Sequence, residues 1–187
     1  MESQISGKAE PVENERDERI KKPTTANDHM VVKLMQLKSI GEVGAYALIL
    51  EFFGWRKFRN AKEVGAAAGL APTPYSSGNS QRDQGISKTG NSRIRSLMIE
   101  LAWLWLRWQP DSALSKWFAN YTSNGSKRQR ETGIVAVARK LLIALWKYLE
   151  KGIVPEGAIF KETKRQRPSK KGVQAAVAAA AAIAATA

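Results

Sequence analysis

The stretch Pro74-Tyr75-Ser76-Ser77-Gly78-Asn79-Ser80-Gln81-Arg82 sets hydroxyls beside a glycine, and Lys88, Arg93 and Arg95 follow it. A phosphodiester is an anion and gains charge as it is attacked. A serine oxygen reacting with phosphorus therefore needs cations and helix N-terminal amides around the phosphate. Arginine suits that task because its donors form a rigid planar fork. The combination would serve covalent catalysis through a phosphoserine. Residue types alone favour a plainer reading, a polar surface loop that grips phosphate without reacting, since serine and arginine are common in loops.

Other residues could also meet phosphate. Gly41 and Gly44, in Ser39-Ile40-Gly41-Glu42-Val43-Gly44, would let the backbone approach an anion, or would simply make a tight interhelical turn. Arg139 and Lys140 interrupt a strongly apolar helix and could hold backbone phosphate or face solvent. Trp103, Trp105 and Trp108, beside Arg107, fit a core or an oligomer interface better than base stacking.

Several chemistries are excluded by composition. There is no cysteine, so disulfides and thiolate metal sites are absent. A Ser-His-Asp triad needs a histidine base, and the single histidine, His29, lies in a polar N-terminal stretch. Acidic residues are scattered, so no metal site is expected. No Walker or dinucleotide-binding glycine pattern occurs. The formal charge is +13, and it is uneven: residues 1–30 carry net −2 and the rest +15. Such a basic body should attract polyanions by counterion release. With no secretory signal and no run of 18 apolar residues, a cytoplasmic protein is expected.

The elements that must position these residues read as an all-α domain. Residues 1–30 are charged, contain Pro11 and Pro23, and are expected to be a disordered acidic leader. The domain should run over 31–160, and a basic then alanine-rich tail over 161–187, also expected to be disordered. Helices are predicted over 31–37, 45–53, 61–68, 93–108, 112–121 and 131–150. Asn60, with Glu63 three residues on, marks one start. Asn91 or Ser92 marks another. Gly69 and Gly152 fit stops. Leu97, Leu101, Leu104 and Trp108 mark one apolar stripe. Ile134, Ala138, Leu141, Leu142, Leu145 and Leu149 mark a second. Between Leu70 and Gly90 periodicity disappears, and a long functional loop is predicted, shaped by Tyr75, Gly78 and Asn79. Residues 124–128 read as a basic loop.

The order of blocks adds a resemblance. Leu37-x-x-Ile40-Gly41 is followed by Gly69-Leu70-Ala71-Pro72, Ser76-Ser77-Gly78, Ser87-Lys88-Thr89-Gly90-Asn91, Arg93-Ile94-Arg95 and Ala136-Val137-Ala138-Arg139-Lys140-Leu141-Leu142. Over roughly residues 34–155 this resembles the C-terminal serine domain of the IS-one-ten group of transposases, relatives of the Piv-type DNA invertases. The resemblance implies DNA transposition and recombination, with Ser77 as the nucleophile. With Ser77 as nucleophile, Arg82 and Lys88 are expected on the scissile phosphate, with Arg93 and Arg95 in support. The resemblance also implies Mg held in a separate RuvC-like domain and no cofactor in this chain. The implied partners are DNA, a structured guide RNA in at least some members, a RuvC-like domain or full-length transposase, and further copies of the chain. No RuvC-like pattern precedes the serine domain here, so the chain is expected to be truncated and inactive alone. The alternative is a non-catalytic nucleic-acid-binding remnant, or an inhibitor of full-length transposase.

Overall fold

The computed structural model describes residues 12, 14–77, 80–123 and 125–162, with backbone alone for residues 74–84. Ten elements follow in order. Helix α1 covers 14–21 and α2 Ala26–Met35. Helix α3, Glu42–Leu48, continues into a π-helical turn over Ile49–Phe53. Next come α4 (Ala61–Ala67), strands β1 (Pro72–Ser77) and β2 (Ser80–Ile86), α5 (Ser92–Trp108), α6 (Ala113–Thr122) and α7 (Lys127–Lys151). The all-α class holds, with one two-stranded ribbon inserted.

Helix α7 is the axis of the core. Ser126 caps its first turn by accepting from the Gln129 amide. Gly152, at φ 68°, ends it in the left-handed conformation that glycine tolerates. Ile134, Val137, Ala138, Leu141, Leu142, Leu145, Trp146 and Tyr148 are all buried, one continuous stripe at helical spacing. Helix α5 lies along this stripe, α4 and α6 flank it, and α2 meets it near its C-terminal end. There Lys33 donates to the Leu149 carbonyl and sits 4.9 Å from the Tyr148 ring centroid.

Several sequence expectations need correction. Helix α7 begins at Lys127, so Lys127 and Arg128 form its first turn rather than a loop. On α5 the buried residues are Ile94, Met98, Leu101, Ala102 and Trp105, while Leu104 and Trp108 are exposed. The stripe was misread because apolar residues surround this helix almost fully, and only packing selects the face. Residues 14–21, and 26 onward, are helical where a leader without order was expected. Thr25 and Asp28 explain the second start. The Thr25 hydroxyl accepts from the Asp28 amide and the Asp28 carboxylate accepts from the Thr25 amide, a full capping box. These hydrogen bonds hold the Asp28 carboxyl below the ordinary carboxylate range.

The predicted long loop is the antiparallel ribbon β1–β2. Ser77 pairs with Ser80, Ser76 with Gln81, Tyr75 with Arg82 and Pro74 with Asp83. Between Pro72 and Pro74 the register slips, and Gly85 beside the slip has φ 88°. The strands carry no alternating apolar face, so the usual strand signal was missing. Two prolines also argued against a strand, although they are tolerated on an edge. The Gly78-Asn79 dipeptide, a two-residue hairpin signal, was the available clue; those two residues lie outside the described ones.

Beyond α7 the chain turns back. Residues 155–161 form a strap across the body: the Ala113 amide donates to the Glu156 carbonyl, and Lys38 and Gln36 meet Ile159 and Lys161 backbone groups. The basic run beyond Lys161 and the alanine tract fall outside the described residues.

Candidate functional site

Two blocks singled out in the sequence are one physical unit. Gly69 ends α4 at φ 68°, its amide donating to the Ala66 carbonyl and that of Leu70 to Gly65. Gly90, at φ 109°, stands before α5. The Lys88 amide donates to the Gly69 carbonyl, the Ser87 amide to Ala71, and the Asn91 amide to Ala67. A side chain at Gly69 would collide with the Thr89 carbonyl and with the Arg95 guanidinium; one at Gly90 would collide with the Ala67 carbonyl. Both positions thus require glycine for conformation and for space. This clasp shuts the base of the ribbon and delivers the chain into α5, whose first turn Asn91 caps through the Ile94 amide.

The clasp holds a strained residue. Lys88 has φ 56°, a left-handed conformation that a side-chain-bearing residue adopts at a cost of roughly 1–3 kcal/mol. Its carbonyl accepts from Arg95 Nη1 at 3.0 Å. Strain of this kind persists only where the surroundings enforce it, and here three backbone hydrogen bonds and two glycines do so.

The structure brings the expected site residues together only in part. Lys88, Arg93 and Arg95 cluster at the ribbon base. Arg93 is exposed and reaches Glu51 of the π turn at 3.4 Å, while Arg95 is engaged with the Lys88 carbonyl. Ser77 and the backbone of Arg82 and Tyr75 are at the far end of the ribbon. The five residue steps from Pro72 to Ser77 correspond to roughly 16 Å at strand rise. A single cradle of Arg82, Lys88, Arg93 and Arg95 around Ser77 was legible as sequence proximity, but the ribbon separates base from tip. The side chains of Ser77, Tyr75 and Arg82, and all of Gly78 and Asn79, lie outside the description.

The remaining candidates are dispersed. Gly41 is the N-cap of α3, in extended conformation. Gly44 is buried in α3 facing Leu101 of α5, where an added Cβ would make ordinary contact at 3.4 Å. Arg139 lays its stem on Gly65 of α4, an approach that the missing Cβ permits. Lys140 faces the other way, 3.4 Å from the Trp117 ring centroid on α6, where desolvation holds its pKa below 10.5. Trp105 is fully buried; Trp103 and Trp108 are half exposed. Among the described residues no three histidine or acidic side chains group as metal ligands. No helix among them is long and apolar enough to cross a membrane.

Gly41, Gly44, Gly69, Gly90 and the whole ribbon fall inside residues 32–116, which match the transposase family IS116/IS110/IS902. This segment is a transposase domain of that family. A Sinorhizobium fredii protein described as "Putative transposase y4rJ" is 44% identical over 165 residues, covering 84% of this chain and 41% of the relative. The Yersinia enterocolitica "Transposase for insertion sequence element IS1328" is 28% identical over 144 residues, covering 75% of this chain and 42% of the relative. The chain thus spans about two fifths of the length of these transposases. The transposase domain ends, by this match, at the start of α6, yet α7 supplies its core, so the fold extends past the matched segment.

The connector Trp55-Arg56-Lys57-Phe58-Arg59 is basic and aromatic, but no motif or spacing in it marks a site. Phe58 is buried against Phe52 and Phe53, with ring centroids 5.0 and 6.2 Å away, and the segment on either side is exposed. The π turn before it is tied to Arg93 through Glu51, and α4 follows it toward the clasp.

Proposed function

We propose that the chain acts in DNA transposition and recombination as the serine-bearing part of a transposase. In this reading Ser77 is the nucleophile. Its oxygen forms a bond to a DNA phosphorus, the bond from that phosphorus to one deoxyribose oxygen breaks, and the released oxygen takes the proton. The phosphodiester is conserved as a phosphoserine link, so no external energy source is consumed. The observation that carries the reading is the position of Ser77 at the end of a ribbon whose base is locked by the family-segment glycines. A residue at a ribbon tip can reach a phosphate held by another body. Arg82, two pairs from the tip, would travel with it; Lys88 and Arg93 would meet DNA flanking the reacting phosphate.

The reaction would need a second body. A RuvC-like acidic domain, in another chain or in full-length transposase, would hold any Mg. Further copies of the chain and a structured guide RNA are additional proposed partners. The test uses nicked DNA from the ends of the insertion sequence, with the chain alone or with full-length transposase, resolved on denaturing gels. A covalent protein–DNA adduct is expected only with the partner present, and Ser77→Ala should abolish it while leaving DNA affinity unchanged. An adduct that persists in Ser77→Ala would remove the nucleophile assignment. Salt-sensitive binding with no adduct under any condition would favour the non-catalytic reading, a nucleic-acid-binding module that inhibits full-length transposase.

A further inference from the structure

The connector between the π turn and α4 holds an exposed tryptophan that the folded body does not use. Trp55 is 65% exposed even though the Arg56 guanidinium lies over its ring, 4.6 Å from the centroid. The same guanidinium is 5.9 Å from the ring of Phe58, which is anchored in the Phe52–Phe53 cluster. Arg56 thus lies between a buried ring and an exposed one. No other described ring packs on Trp55, whereas Trp117 stacks on Tyr121 and Trp103 meets Phe118 edge-on.

The charge around it is unneutralised. Arg56, Lys57, Arg59 and Lys62 are exposed, and among the described residues none of them is in an ion pair. The nearest acid in sequence, Glu63, accepts from the Arg59 amide rather than from a cation. Helix α4 runs from this cluster to the clasp, a span of about 10 Å. Arg139 lies against the middle of α4, and Lys88 and Arg95 stand at its far end. The result is a cationic strip with one open aromatic face at its start.

We propose that Trp55 is a stacking platform for an unpaired nucleotide, with Lys57, Arg59 and Lys62 holding the neighbouring phosphates. An aromatic face accepts any base, and cations beside it track the backbone, which is the chemistry of single-strand binding. A paired base offers its edge to a groove and its faces to its neighbours, so a duplex cannot use the ring without being opened. The occupant is a single strand, DNA or RNA, adjoining the duplex that the ribbon addresses. The proposal rests on the nucleic-acid reading above.

Fluorescence anisotropy with labelled oligothymidine, oligouridine and a duplex of equal length tests it. Trp55→Ala should weaken single-strand binding about tenfold and leave duplex binding within about twofold, while Trp55→Phe restores most of the loss. Lys57→Gln with Arg59→Gln should lower the single-strand salt slope by about 1.4, at about 0.7 per phosphate contact. Preference between the two single strands identifies the source of the nucleotide. Equal loss on single strand and duplex, or no loss on either, overturns the platform while wild-type binding leaves the transposase reading standing. If the wild-type chain retains no nucleic acid at low salt, the broader reading fails first.

Discussion

Helix α5 has two ends held by opposite means. At its N-terminal end, the clasp uses positive-φ glycines and backbone hydrogen bonds, and it leaves Lys88 and Arg93 in solvent. At its C-terminal end, a buried polar knot closes the turn before α6. The Trp105 indole donates to Ser112, the Ser112 hydroxyl to Ser115, and the Ser115 hydroxyl to the Gln109 carbonyl. The Gln109 amide group exchanges two hydrogen bonds with the Ile159 backbone of the strap. Trp105, Gln109 and Ser112 are fully buried, and the knot is fully satisfied, which is the condition under which buried polar groups rigidify a core. The difference separates two tasks on one helix. The knot spends its polar groups on each other; the clasp keeps cations available and stores strain at Lys88.

If the clasp is a rigid conformational lock, Gly90→Ala should have the largest effect. The added methyl meets the Ala67 carbonyl, a backbone atom no rotamer change can move, and φ 109° is hostile to any side chain. A loss of about 3–4 kcal/mol is expected by urea denaturation. Hydrogen exchange at the Ser87 and Asn91 amides should accelerate with it, since both donate within the clasp. Unchanged exchange at those amides would mean the clasp is not the lock described. Gln109→Ala comes next. It strands the Ile159 amide and carbonyl, partly buried, for an expected loss of about 2–3 kcal/mol. Here the comparison sharpens: the Gln109 variant, once folded, should bind DNA like wild type, whereas the Gly90 variant should not.

The two ends were unequally legible in the sequence. The clasp was announced by its glycines, because Gly69 and Gly90 are punctuation that a reader can see; that the segments around them meet was not, since the hydrogen bonds close across a twenty-residue excursion. The caps at Asn60, Asn91 and Gly152 were read correctly for the same local reason. One detail shifted: Glu63 bonds the Arg59 amide instead of completing a box on Asn60. The knot was invisible. Gln109, Ser112 and Ser115 look like the polar residues of any helix–helix connection, and Gln109 finds its partner only in the returning strap at Ile159. The ribbon failed for a third reason, that its sequence is polar at both alternating sets of positions and so lacks the usual strand signal. Ser77 was singled out by resemblance, and its remoteness from Lys88 and Arg93 could emerge only from the strand register.

The smallest expected effect concerns Lys161 on the strap, whose ammonium donates to the Ile40 carbonyl at 2.7 Å. Burial there holds its pKa below 10.5. The sign follows from proton counting. In the window just under 10.5 the folded chain binds fewer protons at this site than the unfolded chain, so its contribution makes stability rise with pH. Tyr46 and Tyr148 act in the opposite sense above 10.0, because burial raises their pKa and ionisation then favours unfolding. The urea midpoint of wild type should therefore climb slightly as pH approaches 10 and fall beyond it. Lys161→Gln keeps a donor for Ile40 but removes the titration, and the climb should disappear while the fall remains. A climb of the same size in Lys161→Gln would assign it to general relief of charge repulsion, and the strap end of α5 would then hold no penalised cation to set against the open ones at the clasp.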